Sequence, residues 1–218
     1  MEIIKLPPKE IIVPGEFDIA DETALRIYFN IAVRGYSEAI PPVVVTNENL
    51  FPETREEYLN YIRNEVRTHK KSGEGLMEIR GGSLIDPDAY LERCEKKAEQ
   101  FEKCIARSPF YLLDGNHRSV ALSLAGKAIH AYELKTQDDL KQLKEISCRN
   151  EIPEFPHKEY RSLKRLVYSF ESWLRHKLEE LHMDRPLNVQ EKVDFLVRND
   201  DLPDYMRVHY CRLKRRER

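Results

Sequence analysis

Residues 110–122 read FYLLDGNHRSVAL, and this stretch determines the fold class that the sequence predicts. The apolar residues 110–113 suit a short strand, Asp114 and Gly115 suit a turn, and a helix with apolar spacing follows at once. The first turn of a helix carries backbone N–H groups without intrahelical partners and the positive end of the helix dipole, so it favours an anion. The sequence therefore predicts a strand–turn–helix junction that binds phosphate.

The predicted phosphate ligands lie in the turn and in the first turn of the helix. They offer backbone N–H groups, an imidazole, a hydroxyl, and a guanidinium that can donate two hydrogen bonds to one phosphate. These residues are Gly115, Asn116, His117, Arg118 and Ser119. Asn116 is also expected to supply a left-handed turn conformation.

Two side chains at the junction are candidates for acid–base chemistry. Asp114 either caps the turn or acts as a general base or metal-bridging carboxylate, with a pKa governed by the adjacent cations. His117 is either a structural histidine or a ligand for phosphate. Its polar neighbours on both sides favour the role in binding.

Composition and charge exclude several classes of protein. The chain has 218 residues, 41% hydrophobic and 34% charged, with a formal net charge of -2, so no global field attracts nucleic acid or membrane. The four cysteines lack C-x-x-C spacing, which argues against a zinc site and a secreted disulfide scaffold. The sequence shows no signal peptide, and no apolar run approaches about 18 residues. We therefore expect a cytoplasmic protein without a membrane partner.

Residues 1–147 are predicted to form a small α/β domain with a mixed sheet. Besides the strand at the junction, short strands are expected at 11–13, 41–45 and 129–134. A helix over 22–34 is expected between the first two of them, with the Asp21 carboxylate as its N-cap.

Two helical segments are expected outside this core. An insertion over 46–108 has helix starts at Thr54 and Asp86-Pro87, with a glycine-containing loop between the helices. In a C-terminal extension over 148–218, apolar residues recur every three or four positions, and Asn188 can cap a helix. Residues 205–218 carry six Lys or Arg and one Glu, so they form either a solvated end or a contact to nucleic-acid phosphates.

The common nucleotide-binding and hydrolase motifs are absent. The sequence lacks the P-loop, the G-x-G-x-x-G dinucleotide fingerprint, H-E-x-x-H and G-x-S-x-G. Nucleotide binding would therefore depend on the local strand–turn–helix junction.

Two blocks of the sequence resemble the ParB/sulfiredoxin-like superfamily. The first, residues 11–45, reads as a strand, Pro-x-Glu, a helix that ends at glycine, and a Pro-Val-Val-Val strand. The second, residues 111–134, reads as a strand, Asp-Gly-Asn-His-Arg, a helix that ends at Gly126, and a strand. Together the blocks cover about 60 residues, so the resemblance implies the fold of the core and leaves the other segments unexplained.

Within this superfamily, the chain is most similar to the free serine kinases. Their glutamate in Pro-x-Glu and their Asp-Gly-x-His-Arg turn imply catalytic roles for Glu16, Asp114 and His117. Sulfiredoxins carry their redox cysteine where this chain has Asn116, so sulfiredoxin activity is not expected. Proteins with an Asp-Gly-Gln-His-Arg turn are linked to DNA modification systems, and this similarity keeps a DNA-related function open.

The resulting functional prediction is a nucleotide-binding phosphotransferase or nucleotide hydrolase. It would use ATP or ADP, or else CTP, with Mg²⁺ on the phosphate oxygens and a small hydroxyl-bearing acceptor. One alternative is a ParB-like DNA-binding or nuclease module that uses the basic C-terminal run, and another is a protein that senses a nucleotide without chemistry. A homodimer through the long C-terminal helix also stays open.

Overall fold

The computed structural model describes residues 2–13, 19, 21–47, 51–73, 75–79, 83–149, 162–163, 165–166 and 185–216. The chain divides into two compact units. One comprises Met1–Glu48 and Ile105–Arg218, and the other comprises Asn49–Cys104. Glu16 and most of the long helix predicted to follow residue 160 lie outside the described residues.

The described residues form strands and α-helices that alternate along most of the chain. The strands are β1 (Ile3–Leu6), β2 (Ile11–Ile12), β3 (Val43–Thr46), β4 (Met77–Ile79), β5 (Ser83–Ile85), β6 (Phe110–Asp114) and β7 (Ile129–Glu133). The helices are α1 (Glu22–Val33), α2 (Phe51–Ser72), α3 (Pro87–Arg107), α4 (Asn116–Leu124), α5 (Gln137–Cys148), α6 (Val189–Arg198) and α7 (Asp204–Arg216).

The first unit contains a five-stranded mixed sheet in the order β1-β7-β3-β6-β2. The central strand β3 is parallel to β7 and antiparallel to β6. At the edges, β1 pairs antiparallel with β7, and β2 pairs parallel with β6. The fold is therefore α/β with a mixed sheet, which confirms the fold class predicted from the sequence.

The core of the first unit surrounds β3 and α4. All four residues of β3 are buried, as suits a central strand rich in β-branched valines. Every residue of α4 from Arg118 to Leu124 is buried as well. The helix packs against α1, α6 and α7 and contacts β3 and β7. These contacts fix the N-terminus of α4, where the predicted functional residues lie.

Helix α6 begins at the cap that the sequence predicts. The Asn188 side chain accepts a hydrogen bond from the Glu191 N–H at 2.9 Å, and the Glu191 carboxylate accepts one from the Asn188 N–H at 3.2 Å. Arg185 donates two hydrogen bonds to the same carboxylate, at 2.8 and 2.9 Å. This reciprocal capping orients α6 so that Val189 and Val193 pack into the core.

The second unit contains α2, the first part of α3 and an antiparallel hairpin of β4 and β5. Its core is formed by Ile62, Val66, Met77 and Cys94. A glycine-containing loop was predicted between the two helices of this unit. This prediction is wrong at β4, because Met77 is buried and pairs with Ile85 across the hairpin. Helix α2 also begins at Phe51, before the predicted start at Thr54.

The two longest described helices, α2 and α3, contain 22 and 21 residues. About 20 residues are enough to cross a bilayer, provided that they are mostly apolar. Both helices carry many charged residues, and no helix in the described part of the chain combines the required length and hydropathy.

Gly115 forms the turn between β6 and α4. Its φ of 102° lies in the left-handed region, and a Cβ at this position would lie 2.6 Å from Val43 Cγ1. Among the described non-glycine residues, only Asp200 has a positive φ. The prediction of a left-handed Asn116 is therefore wrong, because Gly115 supplies that conformation and Asn116 is the first residue of α4.

We predict that Gly115→Ala lowers the free energy of unfolding by about 2–4 kcal/mol, because left-handed strain and the clash with Val43 add. Gly35→Ala is the matched control. Gly35 also has a positive φ, of 90°, but a Cβ there meets no atom within 4 Å, so we expect a loss of only about 1 kcal/mol. Urea unfolding of both variants measures the difference, and equal losses would contradict the predicted clash.

Candidate functional site

The candidate site lies where β6 passes into α4. Gly115 is the N-cap of α4 and provides no side-chain hydrogen bond. The first helical hydrogen bond runs from the Ser119 N–H to the Gly115 carbonyl, at 2.8 Å. The N–H groups that precede Ser119 have no acceptor within the helix, and the positive end of the helix dipole lies beside them. The first turn of α4 is therefore suited to an anion.

The Arg118 side chain is only 3% exposed, and its hydrogen-bond acceptors belong to the protein itself. Its Nη1 donates to the carbonyls of Pro41, at 3.2 Å, and of Pro42, and its Nη2 donates to the Asp114 carboxylate. Arg118 thus joins the turn to the segment that leads into β3. These hydrogen bonds give Arg118 a structural role, and the phosphate contact predicted for it stays a prediction.

Asp114 is the other half of this buried ion pair, with a side chain 19% exposed. Its carboxylate accepts hydrogen bonds from Arg118 and from the Gly115 N–H, so it stabilises the turn. Burial raises the pKa of Asp114 above its ordinary value, although Arg118, the Gly115 N–H and His117 all favour the ionised form. A carboxyl group with a raised pKa is also suited to accept a proton in general base catalysis.

His117 is half-buried beside the same turn. Its Nε2 accepts a hydrogen bond from the Asp21 N–H at 3.0 Å, so a neutral ring carries its proton on Nδ1. Asp21 caps α1, and its carboxylate accepts a hydrogen bond from the Ala24 N–H at 2.9 Å. The structure therefore places His117 between the N-termini of α1 and α4.

Ser119 is fully buried, and its hydroxyl donates to the Asn116 carbonyl at 2.9 Å. The hydroxyl stabilises the first turn of α4 from inside. The phosphate contact predicted for Ser119 stays a prediction.

Lys192, on α6, was not among the residues predicted from the sequence. It is 0% exposed, and its Nζ donates to Asn116 Oδ1 at 2.8 Å. Asn116 Nδ2 is also buried, and it has no hydrogen-bond partner among the described residues. Lys192 therefore orients Asn116 beside the N-terminus of α4.

The sequence does contain a signal for Lys192. It lies three residues after Val189 and one before Val193, within the apolar stripe that we identified on α6. A lysine at that spacing faces the core and requires a polar partner there. The partner, Asn116, lies 76 positions earlier in the chain, so the pairing itself depends on the tertiary fold.

The side chains of the described residues form no cluster of metal ligands. Among them, no three His, Cys, Asp or Glu side chains converge as metal ligands. The Asp114 carboxylate, which the sequence suggested as a metal-bridging group, is bound to Arg118 and the Gly115 N–H. A metal ion would have to displace these contacts.

The raised pKa of Asp114 leads to a prediction about stability. The native state holds the Asp114 proton more tightly than the unfolded chain, so this contribution is complete below about pH 4 and is lost as the pH rises through the native pKa. The stability advantage of the wild type over Asp114→Asn should therefore shrink as the pH rises. Urea unfolding of both proteins from pH 4 to 7 measures it.

An advantage that grows with pH would contradict this prediction. That result would show that the attraction between ionised Asp114 and Arg118 outweighs the cost of burying the carboxylate. Subtracting the two stability curves removes the contribution of the other titrating groups, because those groups are the same in both proteins.

Comparison with protein-family models, with curated proteins and with solved structures finds no match to this chain. The resemblance to the ParB/sulfiredoxin-like superfamily rests on the sequence blocks themselves, and it remains a prediction.

Proposed function

We propose that the N-terminus of α4 binds the phosphates of a nucleotide, and that the protein is a nucleotide-dependent phosphotransferase or nucleotide hydrolase. The main support is the buried pair of Lys192 and Asn116 next to a helix N-terminus that lacks a side-chain cap. Lys192 donates to Asn116 Oδ1, which leaves Asn116 Nδ2 as a donor without a partner among the described residues. A phosphate would compensate the partial positive charge of the helix end.

In this proposal, phosphate oxygens accept hydrogen bonds from the N–H groups of the first turn of α4 and from Asn116 Nδ2. Both kinds of donor lie at the same end of the helix. The buried Arg118 contributes indirectly, because it holds the turn to the segment before β3. Preorganised donors of this kind stabilise the charge that develops on a transferring phosphoryl group.

The proton acceptor in this proposal is Asp114, with Glu16 as the alternative that the family resemblance implies. Asp114 adjoins the phosphate-binding turn, and its pKa is raised by burial, which brings it closer to the value suited to a general base. It would accept the proton of an attacking hydroxyl group or water molecule. His117, on the same turn, would contact the phosphates.

The proposed nucleotides are ATP or ADP, with CTP as the alternative, and the proposed acceptor is a small compound with a hydroxyl group. The Mg²⁺ ion is proposed to arrive as the magnesium complex of the nucleotide, because magnesium is usually bound through substrate phosphates. A cytoplasmic location and a homodimer are also parts of this proposal.

One observation supports the DNA-binding alternative. The last turns of α7 expose three arginines, Arg212, Arg215 and Arg216. Arg207, in the first part of the same helix, is instead paired with Asp200 and Asp204. The exposed arginines could neutralise DNA phosphates without reading the base sequence.

Lys192→Met tests the nucleotide proposal, because methionine keeps most of the side-chain volume and removes the charge. We expect it to weaken binding of ATP, ADP or CTP with Mg²⁺ by about tenfold or more, since a charge-assisted interaction is lost. The variant should also lower the free energy of unfolding by about 1–3 kcal/mol, because the buried Asn116 Oδ1 loses its donor, so binding is measured under conditions where the variant is folded. Lys71→Met, at an exposed lysine of the second unit, is the control for loss of charge.

Titration calorimetry measures binding, and release of inorganic phosphate or formation of ADP with serine or glycerol as acceptor measures turnover. Unchanged nucleotide affinity in Lys192→Met would contradict the proposal and leave Lys192 a purely structural residue. If the wild type binds duplex DNA but none of the nucleotides, and if this binding is lost in Arg212→Gln/Arg215→Gln/Arg216→Gln, the DNA-binding alternative is correct.

A further inference from the structure

A cleft of about 350 Å³ lies at the C-terminal end of α4, at the opposite end of the helix from the candidate phosphate site. Its walls come from residues 5–8, from residues 123–128 and from parts of α6 and α7. A benzene ring is held by a cavity of about 150 Å³, so the cleft has room for one substituted ring.

The buried part of the cleft is largely apolar. The most buried of its lining residues are Leu6, Ser123 and Tyr210, which are 6%, 3% and 4% exposed. Pro7 and Leu213, which also line the cleft, are half-buried. A surface of this kind binds the carbon body of a ligand through the hydrophobic effect.

Charge does not select the ligand of this cleft. Lys5 and Lys127 line it at exposed positions, where water screens their charge, and Lys5 Nζ is paired with Glu38 Oε1 at 2.9 Å. Lys214 Nζ lies 5.5 Å from the centroid of the Tyr210 ring. The negative end of the α4 dipole acts against an anion, and the lysines act against a cation. A neutral ligand therefore suits the cleft best.

Ser123 supplies a hydrogen-bonding group to the buried part of the cleft. Its hydroxyl is buried and has no hydrogen-bond partner among the described residues. The hydroxyl of Tyr210, by contrast, accepts a hydrogen bond from Gln190 and donates one to Asp194. A buried hydroxyl without a partner is costly, and a ligand atom that bonds to it removes this cost. The Ser123 hydroxyl is therefore the group that recognises the polar end of a ligand.

We propose that this cleft binds a neutral organic molecule of about one ring that carries a hydroxyl group, with that hydroxyl on Ser123 and the ring against the apolar surface. A ligand hydroxyl can donate to Ser123 Oγ or accept from it, and the dipole at this end of α4 favours the donor. Apolar walls with one placed polar group are typical of small-molecule sites. This site is separate from the proposed nucleotide site and does not depend on it.

Titration with four probes, followed by the backbone amide signals in NMR spectra, tests the proposal. Phenol, toluene, benzoate and benzylamine share one ring, and at neutral pH they carry a neutral hydroxyl, a methyl group, an anion and a cation. We expect phenol to bind about fivefold or more tightly than toluene, because one hydrogen bond is gained, and more tightly than both charged probes. The signals that shift should include those of residues 123–128. If phenol does not bind, or if any other probe binds as tightly, the proposal is overturned.

Variants locate the hydrogen bond. Ser123→Ala should weaken phenol binding by about fivefold or more and leave the affinity for toluene unchanged, because only the hydroxyl contact is lost. The variant should fold, since it removes a buried hydroxyl that has no partner among the described residues. Ser72→Ala, which removes an exposed hydroxyl from the second unit, is the matched control and should leave both affinities unchanged. Equal phenol affinity in Ser123→Ala and the wild type would overturn the proposal.

Discussion

The buried Arg118 guanidinium connects three parts of the first unit. It belongs to α4, binds Asp114 at the end of β6 and donates to the carbonyls of Pro41 and Pro42 before β3. Removal of one partner from a buried ion pair typically costs about 3–5 kcal/mol, because a charge is then left without compensation. The pairing of β3 with β6 and the position of the first turn of α4 both depend on this contact.

The two ends of α4 have different electrostatic character, although the chain as a whole carries a formal net charge of -2. At the N-terminal end, the helix dipole contributes positive potential, and the buried Lys192 holds Asn116 in place. At the C-terminal end, the lysine side chains act against a dipole of the opposite sign. A ligand at the N-terminal end would therefore be held mainly by buried groups, which water and salt screen less than exposed ones.

Local sequence signals predicted the strand–turn–helix junction and the caps at Asp21 and Asn188, because each depends on neighbouring residues. The role of Arg118 could not be predicted in this way, since its acceptors at Pro41 and Pro42 lie 77 and 76 positions away. The contact of Lys192 could not be predicted either, because its partner Asn116 lies 76 positions away. The short strand β1 carries no alternating pattern, and its pairing with β7 depends on a strand that follows more than a hundred residues later.

The burial of α4 also has a consequence for the order of folding. A helix of nine residues is too short to be stable alone in water, so α4 requires its neighbours. Those neighbours include α1, made early in translation, and α6 and α7, which are made last among the described helices. On the ribosome, the part of α4 that packs against α6 and α7 thus stays uncovered until residues 185–216 emerge, and the native core of the first unit is completed only after that.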